Sequence, residues 1–218
     1  MSKLVWDEVG SRLYETGVDH GVLYPQAEGA YPKGVVWNGL SAVSENPSGA
    51  EDNPLYADNM KYLNIKSAEE LGLTIECYTY PDEWAECDGS AELIPGVSLG
   101  QQKRNTFGFS YRTKIGNDTE GEDHGYKIHL IYGCSASPSE RSYQTVNDSP
   151  EAISFSYDVT TTPVVIDGFK PVASITIDST KVSPEALAAL EKVLYGTEDT
   201  EARLPMPNEL KGILQVGG

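Results

Sequence analysis

Between Arg104 and Gly133 the chain alternates apolar and polar positions twice, on either side of an acidic break. Phe107, Phe109, Tyr111 and Ile115 share one parity, with Ser110, Arg112 and Lys114 on the other. Tyr126, Ile128, Leu130 and Tyr132 then alternate with Lys127, His129 and Ile131. A period of two with aromatic and β-branched residues predicts two strands with one wet face. Similar alternation predicts strands over 71–80 (Leu71, Leu73, Ile75, Cys77), 153–159 (Ile153, Phe155, Tyr157, Val159) and 173–177 (Ala173, Ile175, Ile177). Shorter strands are predicted over 34–44 (bulged or weakened at Gly39), 60–65 and 142–146. Helical signals are fewer. Pro81 to Cys87 reads as a helical turn stopped by Gly89. Ser183 caps a helix over about 183–195, opened by Pro184 and ended by Gly196, with Leu187, Leu190 and Leu194 on one face. Many short strands and one flanking helix make a mainly β fold, predominantly antiparallel.

The segments between these elements divide the chain. Residues 1–33 are rich in aromatics and punctuated by glycine, which predicts an extended N-terminal arm; a strand folding back on its own sheet is the other reading. Residues 34–196 form the β domain. Within it, 45–58 and 116–125 each carry four acids and no Lys or Arg, which predicts long protruding loops that need water or a partner. Residues 92–102 read as connecting chain, and 197–218 as an acidic, proline-bearing extension.

Charge narrows the function. With 16 basic against 33 acidic residues the net charge is −17, so binding driven by release of phosphate counterions is excluded. Cys77, Cys87 and Cys134 are odd in number and form no CxxC pair, which supports neither a disulfide framework nor a zinc site. The N-terminus has no signal-peptide pattern, and no apolar run is long enough to span a membrane. His20, His124 and His129 lie in unrelated settings, and no GxSxG, GxGxxG or P-loop is present. Asn117, Asp118, Glu120 and Glu122 lack the ligand spacing of a calcium loop. The expectation is a protein that is not an enzyme and holds no cofactor or metal.

Three stretches carry a family likeness: Trp6 to Tyr24 (WDEVGSRLYETGVDHGVLY), Asn53 to Asn59 with Ser67 to Trp84, and Gln101 to Thr113. Together they resemble the major tail (tail tube) proteins of long, non-contractile-tailed phages of Gram-positive bacteria, in order over most of the chain. The resemblance implies a β-sandwich or partly closed barrel with a flanking helix. It also implies hexameric rings stacked into a tube, and a virion protein assembled in the host bacterial cytoplasm. The implied partners are other copies of itself, a tape-measure protein, a tail terminator and a distal tail protein. Double-stranded DNA would pass through an acidic lumen without specific binding, and no membrane is involved.

On this reading the contacts between subunits or rings come from three groups. Trp6, Tyr14 and Tyr24 are the arm's aromatics; Asp52, Tyr56, Asp58, Asp118, Glu120, Glu122 and Asp123 lie in the two acidic loops; Arg12, Arg104 and Arg112 are candidates for salt bridges. Intramolecular pairing of these arginines is the competing expectation. The competing function is an acidic β-sandwich module that binds carbohydrate or protein.

Overall fold

The computed structural model describes residues 3–146, 148 and 151–215. Its strands are β1 (Tyr14–Pro25), β2 (Val35–Val36), β3 (Leu40–Gly49), β4 (Asp52–Ala57), β5 (Met60–Lys66), β6 (Glu69–Cys77), β7 (Ala91–Ile94), β8 (Val97–Leu99), β9 (Phe107–Asn117), β10 (Gly121–Ala136), β11 (Phe155–Thr161) and β12 (Ser174–Asp178). The helices are α1 (Ala85–Asp88, preceded by a 3-10 turn at Asp82–Trp84), α2 (Pro184–Tyr195) and α3 (Pro207–Leu214). The fold is mainly antiparallel β, as the alternation predicts. Its main sheet runs β2-β1-β9-β10-β11-β6-β3, with β12 also paired to β10, and does not close into a barrel.

The sheet forks on β10. Residues Lys127–Ile131 pair with β12, whereas Cys134–Ala136 pair with β11. Gly133 sits at the fork with φ 60°, where a Cβ would stand 2.1 Å from the Thr162 carbonyl oxygen. Only glycine fits that approach.

The fork gives two cores, which corrects the expectation of one wet face. Cross-strand partners share a face of the sheet. Because Phe109 pairs with Ile131 and Ser110 with Leu130, the aromatic parity of β9 and the Ile128/Leu130/Tyr132 parity of β10 point to opposite sides. The first side, between the two branches, is filled by Trp37, Trp84, Phe107, Phe109 and Tyr157. Trp84 is its hub: fully buried, with ring centroids 4.7 Å from Trp37, 4.9 Å from Tyr157 and 5.1 Å from Phe107. The second side is covered by α2 and α3, which bury Leu187, Leu190, Leu194 and Leu210 against Tyr24, Leu130 and Tyr132. The polar parity of β9 tolerates this cover because Ser110 is small and meets the Tyr24 hydroxyl at 3.2 Å. His129, expected on an outward parity, faces the first side and stacks on Tyr111 at 4.5 Å.

Several segments differ from expectation. Of the arm read over 1–33, residues 14–25 are a strand inside the main sheet, and Tyr31 is buried. The 45–58 segment is strand rather than loop, shared between β3 and β4. The 116–125 segment is mostly the paired ends of β9 and β10, leaving a short turn at 118–120. Residues 92–102 contain the β7–β8 hairpin, and 142–146 form no strand. The segment 197–218 is not a loose extension as far as it is described: Leu204 bridges to Tyr31 and α3 packs on the core. Sequence signals underrated it because α3 is short and opens on Pro205, Met206 and Pro207. The helix Pro184–Tyr195 and its Ser183 cap, which accepts from the Ala186 N–H, form as predicted. All three cysteines are buried and free.

Candidate functional site

β3 and β6 leave the main sheet together and continue as β4 and β5, giving one long hairpin. The junction bends at Gly49 and Ala50, both at positive φ, and stays paired through Ala50 N–H to Ala68 O and Ser67 N–H to Glu51 O, each 3.2 Å. A side chain on Gly49 would collide with the Ala68 oxygen at 2.2 Å. Beyond the bend the ribbon runs eight residues to Asp58, about 26 Å at ~3.3 Å per residue. It closes on Asp58 and Asn59, at φ 50° and 60°, between the paired Ala57 and Met60. Two left-handed residues in a two-residue loop match the twist of the strands they join.

The ribbon is amphipathic but buries neither face: every residue of β4 and β5 is exposed. Leu55 pairs with Leu63 and Asn53 with Ile65, so Leu55, Leu63 and Ile65 form a stripe on one side. The opposite side is polar, with Asp52 accepting from Asn64 Nδ2 at 3.2 Å and lying 3.7 Å from Lys66 Nζ. Tyr56 and Tyr62 flank the tip, about 70% exposed (72% and 69%). An isolated two-stranded hairpin is marginal in water, and contiguous exposed apolar surface marks an interaction site.

Two further features share this character. The β7–β8 hairpin turns on Pro95 and Gly96 (φ 84°) and exposes Leu93, Ile94, Val97 and Leu99. The leading segment exposes Leu4, Val5, Trp6 and Val9. It is anchored by Asp118, which accepts from the Gly10 N–H at 2.9 Å and lies 3.7 Å from Arg12 Nη1.

The residues expected at contacts fall into distinct groups. Trp6, Tyr56, Asp58 and Asp123 are exposed. Tyr14 is half exposed and lies over Gly116. Tyr24 is fully buried, its hydroxyl donating to the Leu194 carbonyl at 2.9 Å, so it cannot meet another subunit. Glu122 pairs with Lys114 at 3.1 Å and Glu120 with His124 at 2.6 Å. Arg12 is held by Asp118. Arg112 is held by Asp19 through two bonds of 2.8 and 3.1 Å, and lies 4.7 Å above the Tyr126 ring. Burial pushes the Asp19 carboxyl up, but hydrogen bonds from Arg112 and His20 outweigh it and hold the group below its ordinary value. Arg104 alone of the three arginines has no carboxylate partner among the described residues. Sequence reading missed the Leu55/Leu63/Ile65 stripe and the β7–β8 hairpin; the signal was there in the alternation of 60–65, though not in any pairing partner.

The histidines do not converge. His20 meets Asp19, His124 meets Glu120, and His129 lies 3.0 Å from Thr113 Oγ1. Burial pushes the His129 imidazole below its ordinary value, against the opposing pull of Glu45 and Glu15. Among the described residues no three His, Cys, Asp or Glu side chains gather as for a metal ion, and no helix is long and apolar enough to cross a membrane.

No protein-family model matches the chain, and no curated protein is similar to it. Among solved structures, a chain of the PVC extracellular contractile injection system, in its sheath–tube complex in the extended state, aligns with a TM-score of 0.36 and 11% identity. The alignment covers 73% of this chain and 88% of that one.

Proposed function

We propose that this chain is a structural subunit of a phage tail tube, which assembles with copies of itself into hexameric rings that stack head to tail. The observation that carries the reading is the β4–β5 ribbon. It is an amphipathic hairpin, about 26 Å long, whose apolar stripe has no partner among the described residues of its own chain. A ring of identical subunits supplies such a partner at every position, and cyclic closure covers strand edges that would otherwise pair without control. The sequence resemblance in the leading segment and in 53–113 supports the same reading.

The acidity has a place in it. A net charge of −17 repels a polyanion, so DNA would run through such a tube without phosphate contacts that act as brakes. Stacking is open-ended, so tube length would be set from outside, by a tape-measure protein and a terminator, with a distal tail protein at the far end. The role is structural rather than catalytic.

The test is sedimentation velocity with negative-stain electron microscopy across a concentration series. Rings or hollow tubes of uniform width are expected. Single particles at every concentration, with glycan binding in a screen, would overturn the tube reading in favour of a binding module.

A further inference from the structure

A cavity of about 520 Å³ is lined by Arg104, Arg141, Asp88, Ser90, Gln102 and Tyr157. Two cations in one cavity stand out in a chain with twice as many acids as bases. Arg104 is placed firmly. The backbone on either side is clamped to α1, with Gln102 N–H donating to Gly89 O and Asn105 N–H to Glu86 O, both at 2.8 Å. The guanidinium passes so close to Gly89 that a Cβ there would come within 3.0 Å of Arg104 Cζ.

Despite this placement, one nitrogen of Arg104 is unsatisfied. Its Nε is buried with no acceptor, and no ion pair among the described residues includes it. The Tyr157 hydroxyl in the same cavity is also buried without a partner, on a residue only 2% exposed. Arg141 reaches in from the other side, over the Tyr80 and Tyr157 rings at 5.8 and 5.9 Å, and pairs with Asp88. A buried guanidinium nitrogen and a buried hydroxyl, both unpaired in the lining of one cavity, are a costly arrangement unless an acceptor arrives. A planar fork suits an oxyanion with two oxygens.

We infer that Arg104, with Arg141 and the Tyr157 hydroxyl, forms an oxyanion pocket that receives a carboxylate side chain from a second copy of the chain. This rests on the self-assembly reading above, and it names the polar contact that complements the apolar ribbon. A second copy is the favoured source because the chain's excess of carboxylates supplies the ligand at assembly concentration. Nucleic-acid phosphate is disfavoured by the surrounding negative field.

The test separates pocket from assembly. Glutarate, a mimic of an acidic side chain, is titrated into the dilute chain at fixed ionic strength and followed by the Arg Nε–H resonances in NMR. Inorganic phosphate is titrated in parallel, and assembly is read by sedimentation in the same buffers. The wild type is expected to bind glutarate, and Arg104→Met to bind it at least tenfold more weakly. R104M keeps the aliphatic stem and removes an unsatisfied charge, so its melting temperature is expected to be unchanged or raised while its assembly midpoint shifts at least tenfold upward. Absence of glutarate binding by the folded wild type overturns the pocket, whatever the assembly result. Binding of phosphate in preference to glutarate, with R104M assembling normally, overturns the second-copy source and identifies a free-anion site. A lowered melting temperature in R104M makes Arg104 a packing residue and overturns the inference. A wild type that binds glutarate yet never assembles sinks the tube reading and the second-copy source together, leaving the pocket standing.

Discussion

The Trp84 core and the β4–β5 ribbon use the same kinds of residue to opposite ends. Trp84, Trp37, Phe107 and Tyr157 are buried to 2% exposure or less, with Trp84 against the other three rings. Leu55, Tyr56, Tyr62, Leu63 and Ile65 are between 40% and 72% exposed on strands that are no less regular. Burial of apolar surface is the main favourable term in folding, so the core contributes to stability and the ribbon does not. An apolar face that contributes nothing to its own fold is free to contribute to an interface.

Breaking the core has the largest expected effect. Trp84→Ala removes the ring that Trp37, Phe107 and Tyr157 all touch, and is expected to cost about 3–5 kcal/mol, measured by urea unfolding. The matched change in the ribbon, Leu55→Ser with Leu63→Ser, is expected to leave unfolding within ~0.5 kcal/mol of wild type. It removes a facing pair from the apolar stripe, so assembly is expected to weaken by about 1–3 kcal/mol, roughly 5- to 150-fold, by sedimentation. Equal losses of stability in both variants would show that the ribbon is folded against its own chain.

The pH dependence sharpens the boundary of the core. His129 is mostly buried, stacked on Tyr111, and burial lowers its folded-state pKa. Above the ordinary histidine value near 6.5 the imidazole is neutral in both states, and its stabilising contribution is complete. As pH falls below that value the unfolded chain takes up the proton first, so stability declines until the lowered folded value is passed. The slope is expected to be at most about 1.4 kcal/mol per pH unit, and His129→Gln is expected to abolish it in thermal melts between pH 7 and 5. An unchanged slope in that variant would place the titration elsewhere. The smallest expected effect is on the leading segment. Asp118→Ala frees Gly10 and Arg12 from an exposed pair, with a loss of about 0.2–1 kcal/mol and faster hydrogen exchange at Gly10.

Strand positions were legible in the sequence because alternation is local: 107–115 and 126–132 fall on observed strands, and 153–159 and 173–177 overlap strands that begin at Phe155 and Ser174. The capped helix was legible for the same reason. Which side each apolar parity faces was not, because it depends on the Phe109–Ile131 register and on Gly133, where a positive φ and the Thr162 oxygen decide the fork. The 45–58 segment read as loop because Pro47, Pro54 and four acids oppose strand propensity. An exposed two-stranded ribbon tolerates them, since prolines can sit on an outer edge. The candidate site was partly legible. Tyr56 and Asp52 are contact candidates in the sequence, though on a segment read as loop, and the Arg12–Asp118 and Arg112–Asp19 pairs join residues about a hundred positions apart. Only folding shows that they are internal and that Arg104 is left over.

The central claim, that the ribbon is built for another subunit and not for its own fold, is tested most directly by excising it. Replacing residues 51–67 with a short Gly-containing turn joins β3 to β6 where they already pair, at Gly49 and Glu69. The shortened chain is expected to melt within a few degrees of wild type and to sediment as a monomer, while wild type at the same concentration is expected to form rings or tubes. Rings or tubes of normal width from the shortened chain would contradict the claim.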